Sequence, residues 1–270
     1  MKGRCTICDA VGRLTNDHVP PRSVTPPTPL ELCRLSEVVQ SGGSAAPPRM
    51  SFQAATFPSL CKVCNTDLLG ARYDPWLTKL AGDVRRWLAV TKDLDIWIPG
   101  DIQVSTQPFR LARAVAGHLL AAEERKDPSS TPPRGTLTNV LRAFFLDEAA
   151  PWPEDLHLYV WLYPASSQII VRGFGIHRVL GATYNWIIGD VLKFFPLGFW
   201  ITTGPAAGVR YRLTELPLLK PPGIDTSVTL TIPLSAQPPP SWPEQPNDDE
   251  VVLYNEESTY VASPLGTRRS

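Results

Sequence analysis

Cys5-Thr-Ile-Cys8, Leu14-Thr-Asn-Asp17-His18-Val-Pro-Pro21 and Cys61-Lys-Val-Cys64-Asn65 are the three short runs on which the reading of this chain turns. The outer two each contain a CxxC pair. A two-residue gap lets both thiolates of such a knuckle point at one ion, and two knuckles complete a tetrahedral site suited to structural Zn²⁺. The other reading of these cysteines, two redox pairs or buried thiols, leaves the matched spacing without a reason. The fifth cysteine, Cys33, stands outside both pairs and is expected to be a small core or loop residue.

Working outward, all five cysteines fall in the first quarter of the 270 residues, and all eight tryptophans come after it. This shift in composition predicts a boundary near residues 70–75, with a zinc module over 1–75 and a body over 76–270. The first part is too poor in large apolar residues to build a core alone, so it needs a metal staple. The body is rich in Trp, Phe and Leu and can fold by burial. Its tryptophans sit at helical or strand spacing rather than among basic residues, which predicts core positions rather than base-stacking platforms.

Lys+Arg and Asp+Glu both number 26, a formal net charge of zero. Non-specific DNA affinity comes largely from cationic side chains that displace counterions. Neutrality therefore argues against a free-standing DNA scavenger and implies a protein partner, a homo-oligomer or a particular DNA structure. The N-terminal MKGRCTIC has no apolar stretch of the signal-peptide type. The most apolar run, Trp186 to Thr202, is interrupted by Gly189, Asp190, Lys193, Pro196 and Gly198, so it reads as two buried strands and not as a membrane span. The expected compartment is the cytoplasm, where clustered cysteines favour metal over disulfides.

Within the body, Asp74-Pro75 is expected to cap a helix with Trp76, Leu77, Leu80, Val84, Trp87 and Leu88 on one face, the other reading of Asp74 being an extra acidic group near the site. Further helices are predicted from about Pro108 to Glu124 and over Leu137–Leu146. After Pro153 the pattern turns to strand: Leu156–Tyr163 and Gln168–Phe174 as a hairpin, then Thr183–Ile188, Phe199–Thr203, Val209–Leu213, Val228–Ile232 and Val251–Tyr254. Gln237–Glu250 reads as a loop. Ser23–Ala46 is expected to be an inserted loop, with Arg49–Phe57 as the returning strand.

Between the knuckles, Asp17-His18 on an extended segment sends its two side chains to opposite sides. One can coordinate an ion while the other approaches a water. As a dipeptide this means little; the order CxxC, Asp-His, CxxC-Asn gives it meaning. That order resembles the HNH (ββα-metal, His-Me finger) endonucleases, in the zinc-knuckle branch of the phage recombination endonuclease VII type. The resemblance covers roughly residues 5–75. It implies that Cys5, Cys8, Cys61 and Cys64 hold structural Zn²⁺. It also implies that Asp17 and Asn65 hold a catalytic Mg²⁺ or Mn²⁺ through oxygen, and that His18 is the general base that activates water against a DNA phosphodiester. The middle Asn that braces the base in that family has no assigned counterpart here.

The expected fold class is α+β: an N-terminal zinc-stapled ββα-metal module, a helical segment and a mostly antiparallel β region of unassigned role. The alternative function is a zinc-stabilised module that binds nucleic acid or protein and carries a vestigial nuclease site. Asp67 is placed near the metal or on the surface. His118, His157 and His177 have no metal-ligand spacing and are expected to be structural. Arg22, Lys62, Arg72 and the Arg85-Arg86 pair are candidates for phosphate contact or for simple solvation.

Overall fold

The computed structural model describes residues 1–25, 28–34, 49–52, 54–93, 100–123, 135–178, 186–206, 209–218, 223–245, 250–255 and 259–265. Strand β2 (Val11–Val19) carries the Asp-His pair and lies between β1 (Lys2–Arg4) and β5 (Ala55–Cys61) in a three-stranded sheet. Thr15 pairs with Leu60 and Asp17 with Phe57, so Pro58 and Ser59 together oppose Asn16. Pro58 has no N–H to give the ladder, and a two-against-one bulge is where a strand tolerates that loss.

The chain leaves β5 directly into helix α1, which has wide π-type turns over Val63–Tyr73 and regular turns over Asp74–Asp93. The Asp74 N–H donates to the Leu69 carbonyl, five residues back. Pro75 explains the change of pitch: it lacks a donor and its ring crowds the carbonyl four residues earlier, and a widened turn relieves both. This corrects the expected helix start. Asp74 caps nothing, because the helix begins eleven residues earlier at Val63, and the expected boundary at 70–75 falls inside one continuous helix.

After β6 (Ile102–Thr106), helix α2 (Pro108–Ala121) starts with proline at its first turn and is buried at every position except Arg110. A helix buried on nearly every face belongs in a core, and α2 packs on α1, on β2, β5 and β9, and on α3 (Thr136–Leu146). A Cβ at Gly117 would lie 2.6 Å from Phe145 Cε2 and 2.7 Å from Leu69 Cδ1, so the missing side chain lets three helices meet. One buried cluster runs from Cys5, Leu14 and Phe57 through Leu69 and Val115 to Phe145, Leu158 and Phe199. The core is therefore continuous across residue 75.

The remaining strands are β3 (Pro29–Arg34), β4 (Arg49–Phe52), β7 (His157–Leu162), β8 (Gln168–Arg178), β9 (Trp186–Phe194), β10 (Leu197–Thr202), β11 (Thr214–Glu215), β12 (Val228–Ile232), β13 (Glu250–Leu253) and β14 (Thr259–Pro264). Nine of the strands form one sheet in the order β11-β7-β10-β9-β8-β14-β3-β4, with β13 beside β8, while β12 and β6 make a ribbon. All pairings are antiparallel, which places the chain in the α+β class. On β8, β14 takes Gln168–Val171 and β13 takes Gly175–Arg178; between them Gly173 has a φ of 67°, a left-handed bend that glycine permits.

Several expectations change. Leu156–Tyr163 and Gln168–Phe174 are strands but not a hairpin, because the tightly joined β9–β10 pair inserts between them and β7 pairs with β10. Val209–Leu213 is not a strand; Arg212 N–H instead donates to the Ala236 carbonyl. The expected loop Ser23–Ala46 contains strand β3, which pairs with β14 at the far end of the chain, while 35–46 lies outside the described residues. Arg49–Phe57 is two strands in two sheets, β4 beside β3 and the start of β5 beside β2. Of Thr183–Ile188, 183–185 lies outside the described residues and the rest opens β9. No helix among the described residues is long and apolar enough to cross a membrane.

Candidate functional site

The two knuckles converge as their spacing predicts. The Sγ atoms of Cys5, Cys8, Cys61 and Cys64 all lie within 4.8 Å of one another, and Cys8 and Cys61 are 3.6 Å apart. Zn–S bonds of about 2.3 Å in a tetrahedron separate sulfurs by about 3.8 Å. The donor set therefore fits zinc. Hydrogen bonding from the Cys64 thiol pushes Cys5 down to about 4, while burial pushes Cys8 up to about 11 and the bond to Cys5 raises Cys64. Four thiols this close cannot all ionise without a cation between them. Cys33 is buried on β3, away from the cluster, as expected of a core residue.

Each knuckle is fixed from outside. Asp9 takes a φ of 65° and donates its N–H to the Cys5 carbonyl, closing the first turn. Thr6 N–H donates to the carbonyl of Ser59, one of the two bulged residues of β5. Arg142 of α3 donates to the Ile7 carbonyl at 2.5 Å and to Asp9 Oδ2 at 2.6 Å. The second knuckle is the end of β5 and the start of α1, so the thiol cluster ties strand, helix and N-terminus together at one point.

Asp17 and His18 diverge across β2, as an extended strand requires. Asp17 is 4% exposed, and its Oδ2 has no hydrogen-bond partner, although His118 Nδ1 of α2 is 3.3 Å away. Burial raises the Asp17 carboxyl above its usual range even against the charge of His118. His18 is half-buried on the other face and accepts a 2.8 Å hydrogen bond at Nε2 from Arg22 Nε. Burial first, and the Arg22 charge second, push its pKa down. A neutral imidazole with its proton on Nδ1 follows. Arg22 stands on the 3₁₀ turn Arg22–Val24, one helical turn of sequence beyond His18.

Asn65 lies in the first turn of α1 and reaches back to β2. Its Nδ2 donates to Thr15 Oγ1 at 2.9 Å and to the Asn16 carbonyl at 3.2 Å. With both amide protons used on the strand, its Oδ1 makes no hydrogen bond among the described residues. Asp17 Oδ1 likewise makes no hydrogen bond among the described residues. These are hard oxygen donors of the kind Mg²⁺ and Mn²⁺ prefer, and Asn65 holds the residues immediately before Asp17.

Behind Asp17 stand Asp74, one of whose two sequence readings is an extra acidic group near the site, and His118, expected to be structural. His118 is fully buried in the last turn of α2, with Nε2 2.9 Å from Asp74 Oδ1 on α1. Burial alone would lower its pKa, but Asp74 and then Asp17 more than offset that and push it up to about 10. The signal was present in the run Pro108–Ala121: a histidine on the apolar stretch Ala114–Ala121 must find buried partners, and the acids at 17 and 74 supply them. Of the candidate phosphate contacts, Arg85 donates to the Phe195 carbonyl, Arg72 pairs with Glu148 and Arg86 pairs with Asp83. Only Arg22 lies beside His18.

Compared with known families, curated proteins and solved structures, the chain matches none.

Proposed function

We propose that this protein is a metal-dependent endonuclease of the HNH, ββα-metal type that hydrolyses DNA phosphodiester bonds. One observation carries the reading. The two antiparallel strands β2 and β5 and helix α1 are stapled by a four-cysteine cluster, and Asp17, His18 and Asn65 stand on them in the order the family uses. Zinc at Cys5, Cys8, Cys61 and Cys64 is the structural ion in this reading.

The remaining chemistry belongs to four side chains. Asp17 and Asn65 would hold Mg²⁺ or Mn²⁺, which when bound supplies charge to the scissile phosphate and to the leaving oxygen. His18 takes a proton from water at Nε2. That nitrogen is engaged by Arg22 at 2.8 Å, and an incoming phosphate is the natural anion to draw the guanidinium away. Arg22 then contacts the phosphate while the freed lone pair faces the water. Formal neutrality of the chain is consistent with DNA bound through a local cationic group or with the help of a partner.

The burial of Asp17 against His118 favours a second reading, a zinc-stabilised module that binds nucleic acid or protein without cutting it. Zinc-loaded protein incubated with supercoiled plasmid, with and without added Mg²⁺ or Mn²⁺, separates the two. Nicked or linear DNA that appears only with the added cation is expected. Plasmid left intact by a properly loaded protein in every arm contradicts the nuclease reading.

A further inference from the structure

We infer that His118, anchored by Asp74, is a positioning residue for Asp17: it fixes which carboxylate oxygen faces the core and which is presented to a divalent cation. The inference rests on the nuclease reading. Three independent elements meet at this imidazole. Asp17 comes from β2, Asp74 from the change of pitch in α1, and His118 from the last turn of α2. Nε2 is hydrogen-bonded to Asp74 Oδ1 at 2.9 Å, and Nδ1 lies 3.3 Å from Asp17 Oδ2, an ion-pair contact without hydrogen-bond geometry. The ring is fully buried, so no water competes for either nitrogen.

This geometry has a directional consequence. Asp74 occupies one ring nitrogen, which sets the ring plane and aims the other at Asp17. Oδ2 of Asp17 then faces inward, and Oδ1 alone remains for an ion. A carboxylate free to rotate would present either oxygen, or both, and would lose order on binding; an outer partner removes that freedom. A core built only for packing would avoid two acids and a histidine, because buried charges cost more than well-packed apolar groups of the same volume. Gly117, the neighbour of His118, lets α2 approach α1 and α3 closely enough to place the ring between the two acids.

Asp74→Asn tests this with least disturbance, because its amide oxygen can still accept from Nε2 but carries no charge; His118→Gln is the second variant. The full-length, zinc-loaded proteins are titrated with Mn²⁺ and the bound ion is followed by electron paramagnetic resonance. Zinc content and melting are measured on the same samples. Both variants are expected to keep their zinc and to bind Mn²⁺ about 10- to 100-fold more weakly, with cutting recovered at raised Mn²⁺. A folded, zinc-loaded Asp74→Asn protein whose Mn²⁺ affinity stays within about twofold of wild type overturns the inference. So does an Asp74→Asn protein that cannot fold, which would make the contact a matter of stability. Wild type that binds no Mn²⁺ beyond its zinc overturns the nuclease reading as well, so the two failures are distinct.

Discussion

His118 Nε2 lies 2.9 Å from Asp74 Oδ1 and joins the last turn of the buried helix α2 to the point in α1 where wide turns give way to regular ones. With Asp17 on its other nitrogen, the imidazole carries a proton far above the ordinary histidine range, at about 10 against 6.5. Between those two pH values the folded state holds a proton that the unfolded chain has released. That contribution to stability is complete below pH 6.5 and is lost as pH rises toward 10. Denaturant midpoints measured without Mg²⁺ or Mn²⁺ should fall across this window, and His118→Gln should remove that part of the slope. Equal slopes in the two proteins would argue against the pairing.

Zinc removal should unfold more than the knuckles. The cysteine cluster and Leu69 share one core with Val115 and Phe145, so a chelator strong enough to strip the metal should melt α1 and its contacts with α2. Metal binding of this kind is folding free energy. Cys64→Ser should lose zinc and lower the melting temperature sharply, whereas Cys33→Ala should retain one zinc per chain. Helical circular dichroism that survives stripping would contradict the shared core.

Gly117→Ala places a methyl 2.6 Å from the Phe145 ring and 2.7 Å from Leu69. Leu69 and Phe145 are both fully buried, so neither can give way freely. Overpacking of this sort costs about 1–3 kcal/mol. Urea denaturation of the variant should show that loss, and a stabilised variant would refute the close approach of the three helices.

Lys193 on β9 is fully buried, with Nζ at 2.7 Å from the Pro240 carbonyl, 2.8 Å from the Trp242 carbonyl and 2.5 Å from Glu244 Oε1. Breaking such a pair from one side leaves a buried charge and costs about 3–5 kcal/mol. Lys193→Met should show a loss of that order. Lys193→Met with Glu244→Leu should regain part of it, though not all, because the two carbonyls stay unmatched. Equal stability of the single and double variants would show that the charges are not coupled.

Much of the local structure is readable in the chain. The CxxC spacing predicts the thiol cluster, and the apolar periodicities place α2, α3, β10 and β12 to within a few residues. The alternation along β2 correctly sends Asp17 and His18 to opposite faces. Pairings between distant segments were not legible. Nothing in Pro29–Arg34 says that it joins β14 in the last dozen residues, because strand partners are chosen by the whole sheet rather than by a local run. The Asp74-Pro75 dipeptide misled for a related reason. Asp followed by Pro is a good helix start, but here β5 feeds the helix from upstream and the widened turn absorbs the proline. His118 stayed hidden because its partners lie 101 and 44 residues away and carry no spacing rule.

The central claim is that His18 activates water, and the rate of plasmid cleavage by zinc-loaded His18→Ala in saturating Mg²⁺ or Mn²⁺ tests it most directly. His18 is half-exposed on β2 and outside the core, so the variant should fold and keep its zinc. General-base catalysis contributes about 10²- to 10⁴-fold. A fall of that size, with unchanged zinc content and melting, is the predicted result. Cleavage by the variant at the wild-type rate, or no cation-dependent cleavage by wild type, would contradict the account.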